Sequence, residues 1–386
     1  MIYLDNAATT FPKPLAVRQA MNNSFSYCAN PGRAGHKLSI KASEAIFDCR
    51  NRISQLFNFD KPENIILTSG CTFALNTVIK GVLRKGDHVV ISSLEHNSVV
   101  RPLEKLSESG FITYSVAEVF ECDDDKTLDS FRKAFKDKTK LVVCTHASNV
   151  FGIKLPISRI GALCRYYGIL FCVDAAQTAG LLSIDISDTS VDYLCIAGHK
   201  GLYGPMGTGA LLINTETIPD SLCEGGTGSS SLNSLQPEVL PDKFESGTVN
   251  LHGMSGLSSG IEFVSKRKVT QIFTHELLLI KALYHNLNSM ENVILYTKEP
   301  SNEFHVPLLS FNINGLDSES VAHLLDSKYN IAVRAGIHCS PLAHKYMKTD
   351  DIGTVRISPS IFSTQADIKA LTTAIFQLSN NKKIFI

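Results

Sequence analysis

The run Ile169-Leu-Phe-Cys-Val-Asp-Ala-Ala-Gln177 decides the fold. Five apolar residues in succession, without polar alternation, fit a strand buried on both faces, the condition of a parallel sheet covered by helices. Asp174 ends the run with a carboxylate that is costly at a buried strand end unless a cation or several donors meet it. Working outward, five more runs share this texture: Ile65-Ile-Leu67, His88-Val-Val-Ile-Ser92, Leu141-Val-Val-Cys144, Tyr193-Leu-Cys-Ile196 and Gly209-Ala-Leu-Leu-Ile213. Phe73–Leu83, Pro102–Ser109, Leu128–Phe135 and Ile157–Tyr167 carry helical spacing between them. The alternation predicts an α/β fold with a mostly parallel sheet and helices on both faces.

Past this region the texture changes. Residues 225–260 are rich in glycine and serine, as an ordered functional loop would be, and a helical stretch Ser255–Met290 follows. A strand near Leu308–Ile313 and helices at Ser318–Ser327 and Gln365–Leu378 then suggest a smaller α/β domain. The expected organisation is a large domain over 16–260 and a small one built from 1–15 and 261–386. The chain has 386 residues, ample for a large core, and 37 basic against 37 acidic residues, a balance that argues against nucleic acid or a polybasic membrane surface as partner. No apolar run is long enough to span a membrane, and the first residues do not form a secretion signal, so a cytoplasmic address is expected. Ten cysteines are scattered without a metal-ligand spacing, which points away from a zinc site or a disulfide scaffold. Cys144, Cys172 and Cys195 sit in apolar runs as small buried hydrophobes, whereas Cys339 has charged and polar neighbours.

In open α/β sheets ligands bind beyond the carboxyl ends of strands, so polar residues following apolar runs carry the information. Four such places stand out. Thr68-Ser-Gly-Cys-Thr72 precedes a helix and offers free N–H groups, hydroxyls and a glycine to a phosphate, although an ordinary helix cap has the same composition. Asp174 could face a protonated ring nitrogen. In Ala197-Gly-His-Lys-Gly201 a lysine at a buried strand end would expose a nucleophilic amine suited to a Schiff base. His96, after the run ending at Ser92, could stack on a ring. Together these supply the parts that pyridoxal 5′-phosphate requires.

With those residues in hand, the sequence resembles the class V aminotransferase branch of fold-type I pyridoxal-phosphate enzymes, and within it the cysteine desulfurase and selenocysteine lyase family. The likeness runs from Tyr3-Leu-Asp-Asn-Ala-Ala-Thr9 to Arg356-Ile-Ser-Pro-Ser360. It includes Glu95-His96, Ser148-Asn-Val-Phe-Gly152, Val173-Asp-Ala-Ala-Gln177, Gly198-His-Lys200, Phe244-Glu-Ser-Gly-Thr248 and Val333-Arg-Ala-Gly-Ile-His-Cys339. It implies the fold-type I architecture, with a seven-stranded, mostly parallel sheet in the large domain. It further implies that Lys200 bonds the cofactor aldehyde, Asp174 pairs with the pyridine nitrogen, Gln177 bonds the ring hydroxyl and His96 stacks on the ring and assists proton movement. Cys71 and Thr72 would hold the phosphate, with His199 nearby, and Thr248 would reach the phosphate of a neighbouring subunit in a homodimer. Arg356 would clamp the substrate carboxylate, Arg334 would lie on the substrate side, and Asn149 would bond both the cofactor hydroxyl and that carboxylate.

The resemblance also singles out Cys339 as the nucleophile that takes sulfur from L-cysteine, leaving L-alanine and an enzyme persulfide that passes to a thiol or protein acceptor. Arg334 and His338 are expected to favour its thiolate electrostatically. The same residues suit a selenocysteine lyase or another class V lyase or aminotransferase, and a non-catalytic cofactor-binding paralogue is a further reading. The chain departs from the family pattern at Ile337 and Ser340, where His and Ala are usual, at Ala197 and Phe73, and at Gly32, where some relatives have His.

Overall fold

The computed structural model describes residues 1–380 apart from Cys28, Arg33 and Ser230; Cys28, one of the scattered thiols, therefore lies outside the described residues. Seven strands make the central sheet: β1 Ile65–Thr68, β2 His88–Ser92, β3 Thr113–Ala117, β4 Thr139–Thr145, β5 Leu170–Asp174, β6 Tyr193–Ala197 and β7 Gly209–Ile213. Their order is β1-β7-β6-β5-β4-β2-β3. Only β7 runs antiparallel to its neighbours. Successive side chains of a strand point to opposite faces, and both faces here are dry. Val90, Val142, Cys144 and Val173 enter one core, whereas Val89, Ile91, Leu141, Val143 and Cys172 enter the other. That is why the runs read as continuously apolar.

All six runs are strands; β3 is the seventh. Its sequence Thr-Tyr-Ser-Val-Ala mixes polar and apolar residues because it lies at the sheet edge, where Val116 is exposed. Helix starts also differ from the periodicity. The helix expected from Pro102 begins at Asn97 and runs to Glu108, because the His96 ring caps it by accepting the Ser98 N–H at 3.0 Å. Asp123 likewise caps Asp124–Ala134 through the Lys126 N–H, upstream of the expected Leu128. The long stretch to Met290 is two helices, Leu251–Arg267 and Val269–Asn288, broken at Lys268 with φ of 65°. The boundary expected after residue 260 falls inside the first of these.

Beyond them, Val293–Leu295, Leu309–Ile313, Thr354–Ile357 and Arg334–Gly336 form an antiparallel four-stranded sheet. Helices Val269–Asn288, Ser318–Tyr329 and Gln365–Asn380 pack against it around Leu309, Phe311, Val355 and Ile357. The chain's start belongs with this layer: Ile2–Tyr3 pairs in parallel with Ile331–Ala332, and Asp5 bridges Ser358. This pairing lays residues 5–10 across the carboxyl ends of the central strands.

One ion pair ties the central sheet to the segment rich in glycine and serine. Arg50 on helix Lys37–Leu56 donates through both terminal nitrogens to Glu245 at 2.8 and 2.5 Å, and Glu245 also accepts the Leu67 N–H of β1 at 2.7 Å. Both side chains are less than a tenth exposed. Removing one partner strands a buried charge, so Glu245→Ala is expected to destabilise the protein by about 3–5 kcal/mol. The double variant Arg50→Met with Glu245→Leu should lose much less; urea unfolding of the three proteins measures the difference.

Candidate active site

A cavity of about 350 Å³ opens at the carboxyl ends of the central strands, as the topology of an open α/β sheet predicts. Its wall takes Ser69 and Gly70 after β1, Thr145 from β4, Asp174 from β5 and Ala197 from β6. His96, Asn149, Gln177, His199, Lys200, Arg334 and Arg356 complete its polar lining, with Cys71 and Thr72 at the start of helix Cys71–Val82. Every candidate named from the sequence lies on this wall except Cys339, which is exposed and adjoins it through His338, and Thr248, which is exposed elsewhere.

Asp174 is buried, and its Oδ1 accepts the Ala176 N–H at 2.9 Å and the Cys71 thiol at 3.3 Å. Burial and this carboxylate push the Cys71 thiol well above its ordinary pKa, so it acts as a neutral donor. Burial also lowers the pKa of the Lys200 amine, against the opposing pull of Asp174. The lysine's backbone is fixed from behind: its carbonyl accepts from the Tyr203 N–H at 2.8 Å and the Thr10 hydroxyl at 3.1 Å. The His199 carbonyl accepts from Thr9, Thr10 and Lys13. A side chain at Gly180, whose φ is +81°, would place its Cβ 2.3 Å from the Gly201 carbonyl, so this turn packs backbone on backbone. The roles of Thr9, Thr10 and Lys13 escaped the sequence reading because their partners lie about 190 residues away; Thr9, which closes the quoted motif, and Thr10 after it were the available signal.

The two arginines differ. Arg356 is buried, donating to Asp5 at 2.7 Å and to the Asn149 carbonyl at 2.8 Å, while its Nε has no partner. Arg334 lies with Nη2 3.8 Å from the Cys339 sulfur. His338 does not join it in stabilising a thiolate, contrary to the expectation from sequence. Its ring is buried, its Nε2 donates to the Thr354 carbonyl at 2.9 Å, and loss of hydration holds its pKa near 3, so it carries no charge at neutral pH. His96 is also neutral, held down to about 4 chiefly by burial. Because its Nδ1 accepts the Ser98 N–H, the ring proton belongs on Nε2. The Asn149 amide is already engaged, Nδ2 donating to the His338 carbonyl at 2.7 Å and Oδ1 accepting from the Ser340 hydroxyl at 2.5 Å.

These residues fit pyridoxal phosphate. Helix Cys71–Val82 begins at Gly70 without a side-chain cap, leaving its first N–H groups to an anion. The buried Asp174 can meet a ring N–H, the depressed Lys200 amine can meet an aldehyde, and His199 Nδ1 is buried without a partner.

The neutral histidines set the response to acid. His88, His96 and His199 are held to about 4, and His146 and His338 to about 3, mainly by burial. Unfolded histidine binds its proton near pH 6.5, so between about pH 4 and 6.5 the unfolded chain holds more protons and stability falls as pH drops. Glu95 and Glu276, raised by burial to about 8, act in the opposite sense, retaining a proton that the unfolded chain releases above about pH 4.5. Five groups oppose two, and the melting temperature is expected to fall between pH 6.5 and 4.5 and to decline gently from 6.5 towards 8. Thermal scans across that range check both slopes.

Comparison with known proteins adds an independent line. The family model described as aminotransferase class-V matches residues 2–371. A probable cysteine desulfurase of Methanothermobacter thermautotrophicus is 33% identical over 387 residues, covering 98% of this chain and 94% of that protein. Another from Pyrococcus abyssi is 32% identical, with the same coverage of 98% and 94%. Among solved structures, the apo form of a cysteine desulfurase from Thermococcus onnurineus NA1 superposes with a TM-score of 0.90 at 31% identity, covering 98% of this chain and 94% of that one.

Proposed function

Because the chain belongs to the class-V aminotransferase family, we propose that it is a pyridoxal-phosphate-dependent cysteine desulfurase that converts L-cysteine to L-alanine and carries the sulfur on Cys339. The observation that carries this reading is the exposed Cys339 thiol, with the Arg334 guanidinium beside it, at the edge of a cavity whose wall holds Lys200 and Asp174. When bound, pyridoxal phosphate supplies an aldehyde to an amine and a ring that accepts the electron pair released at the substrate Cα.

The protein's own residues do the rest. Asp174 would keep a proton on the ring nitrogen, Gln177 would bond the ring hydroxyl, and His96, with its proton on Nε2, would stack on the ring and assist proton movement. Gly70, Cys71 and Thr72 would hold the phosphate, with His199 nearby. Arg356 has an unpaired Nε for the substrate carboxylate, with Asn149 alongside. The Lys200 amine, whose pKa burial lowers, takes the Cα proton. The Cys339 thiolate attacks the substrate sulfur, so that an S–S bond forms as the substrate's C–S bond breaks. The substrate Cβ takes up a proton and Lys200 returns to Cα the one it removed, so the products are alanine and a Cys339 persulfide, with no external oxidant or reductant. An exposed sulfur then passes to a thiol or protein acceptor.

A homodimer belongs to the same reading, with Thr248 reaching the neighbouring site. It is supported by exposed Thr248 and by exposed apolar side chains at Phe25, Leu38, Phe47, Leu232 and Leu235. Among the described residues no helix is long and apolar enough to cross a membrane. The test is to supply L-cysteine and dithiothreitol to the holoenzyme and measure both products. Alanine and sulfide in equal amounts are expected, whereas pyruvate with sulfide, or no alanine, would reject the reading.

A further inference from the structure

The segment that carries Cys339 adopts a backbone its residues do not favour. His338 and Cys339 have φ of 50° and 59°, two successive non-glycine residues in the left-handed region. Contacts from outside the segment hold it there. His338 Nε2 donates to the Thr354 carbonyl, and the Asn97 N–H donates to the Cys339 carbonyl at 2.8 Å. Asn149, across the cavity wall, donates Nδ2 to the His338 carbonyl between the two strained residues.

What keeps the Asn149 amide turned this way is Ser340. This serine is fully buried and opens helix Pro341–Met347, where its hydroxyl would ordinarily accept an N–H of the first helical turn. It makes no such cap. Its Oγ donates instead to Asn149 Oδ1. Without that hydroxyl, Oδ1 loses the one donor it has among the described residues, and the Nδ2 bond to the His338 carbonyl alone must keep the amide from turning to the open cavity that Asn149 also lines.

We propose that Ser340 is a positioning residue for the reaction: acting through Asn149, its hydroxyl locks the left-handed turn and thereby fixes the Cys339 sulfur beside Arg334. The proposal rests on the reading of Cys339 as the sulfur acceptor, and it adds a residue that makes no contact with substrate, cofactor or the thiol itself. Its mark is selectivity. Loosening the turn weakens attack by the thiol, and should matter less for selenocysteine, whose selenium leaves more readily and depends less on that attack.

The test uses Ser340→Ala as the holoenzyme, with Cys339→Ala in parallel. Hydrogen exchange in residues 334–342 and at the Asn97 amide is expected to quicken about tenfold, the loss of roughly one buried hydrogen bond. The kcat for cysteine should fall about tenfold with KM within about twofold, and selenocysteine turnover should fall less. Unchanged exchange, or equal losses for both substrates, would overturn the proposal. If Cys339→Ala keeps full cysteine turnover, the functional reading fails, whereas slow exchange in Ser340→Ala defeats the latch alone. Should the alanine variant not fold, Asn149→Asp places an oxygen against the His338 carbonyl and must produce the same rise in exchange.

Discussion

Cys339→Ala is expected to lower L-cysteine turnover by about a hundredfold or more while leaving cofactor binding and substrate-induced spectral changes in place. Cys339 does not line the cavity, so its loss leaves intact the wall proposed to receive cofactor and substrate. What disappears is the sulfur's destination. In the proposed mechanism the C–S bond breaks only as a thiol accepts the sulfur, and the described thiols nearest the cavity cannot substitute. Cys71 is neutral and committed to Asp174, and Cys172 and Cys195 are buried in the strands. Alanine formation in the presence of dithiothreitol measures the loss; turnover within about twofold of the parent would show that the thiol is not the acceptor.

Lys200→Ala should be more damaging still, costing about a thousandfold or more, because in the proposed mechanism the amine both bonds the cofactor and moves the Cα proton. The rigid turn behind it, from Gly180 against Gly201 to the Thr10 hydroxyl on the Lys200 carbonyl, contains no contact from the amine itself, so the variant should fold. Borohydride treatment is expected to fix pyridoxal phosphate covalently on residue 200 in the parent and to leave the variant unlabelled. An adduct of equal yield on another lysine would place the chemistry elsewhere.

Much of this site could be read before any coordinates because strand-end rules are local. Asp174 and Lys200 each follow an apolar run within the same stretch of sequence, and burial of the run makes a charged residue at its end conspicuous. The edge strand Thr113–Ala117 was illegible for the opposite reason: half exposed, it need not be apolar. The starts of helices at Asn97 and Asp124 were hidden because side-chain caps by His96 and Asp123 set them rather than apolar spacing. Distant pairings were also beyond reach. Arg356 with Asp5 and Ser340 with Asn149 join residues 351 and 191 positions apart. Charge, too, needed the fold: His338 looks like a partner for a thiolate in sequence and is a neutral, buried donor in the structure.

The most direct measurement of the central claim is a single turnover without reductant, one equivalent of L-cysteine added to the holoenzyme, followed by peptide mass analysis. One additional sulfur atom on the peptide containing Cys339, matched by one alanine in solution, is the expected result. Alanine released with that peptide unchanged, or the sulfur found on another cysteine, would contradict the account.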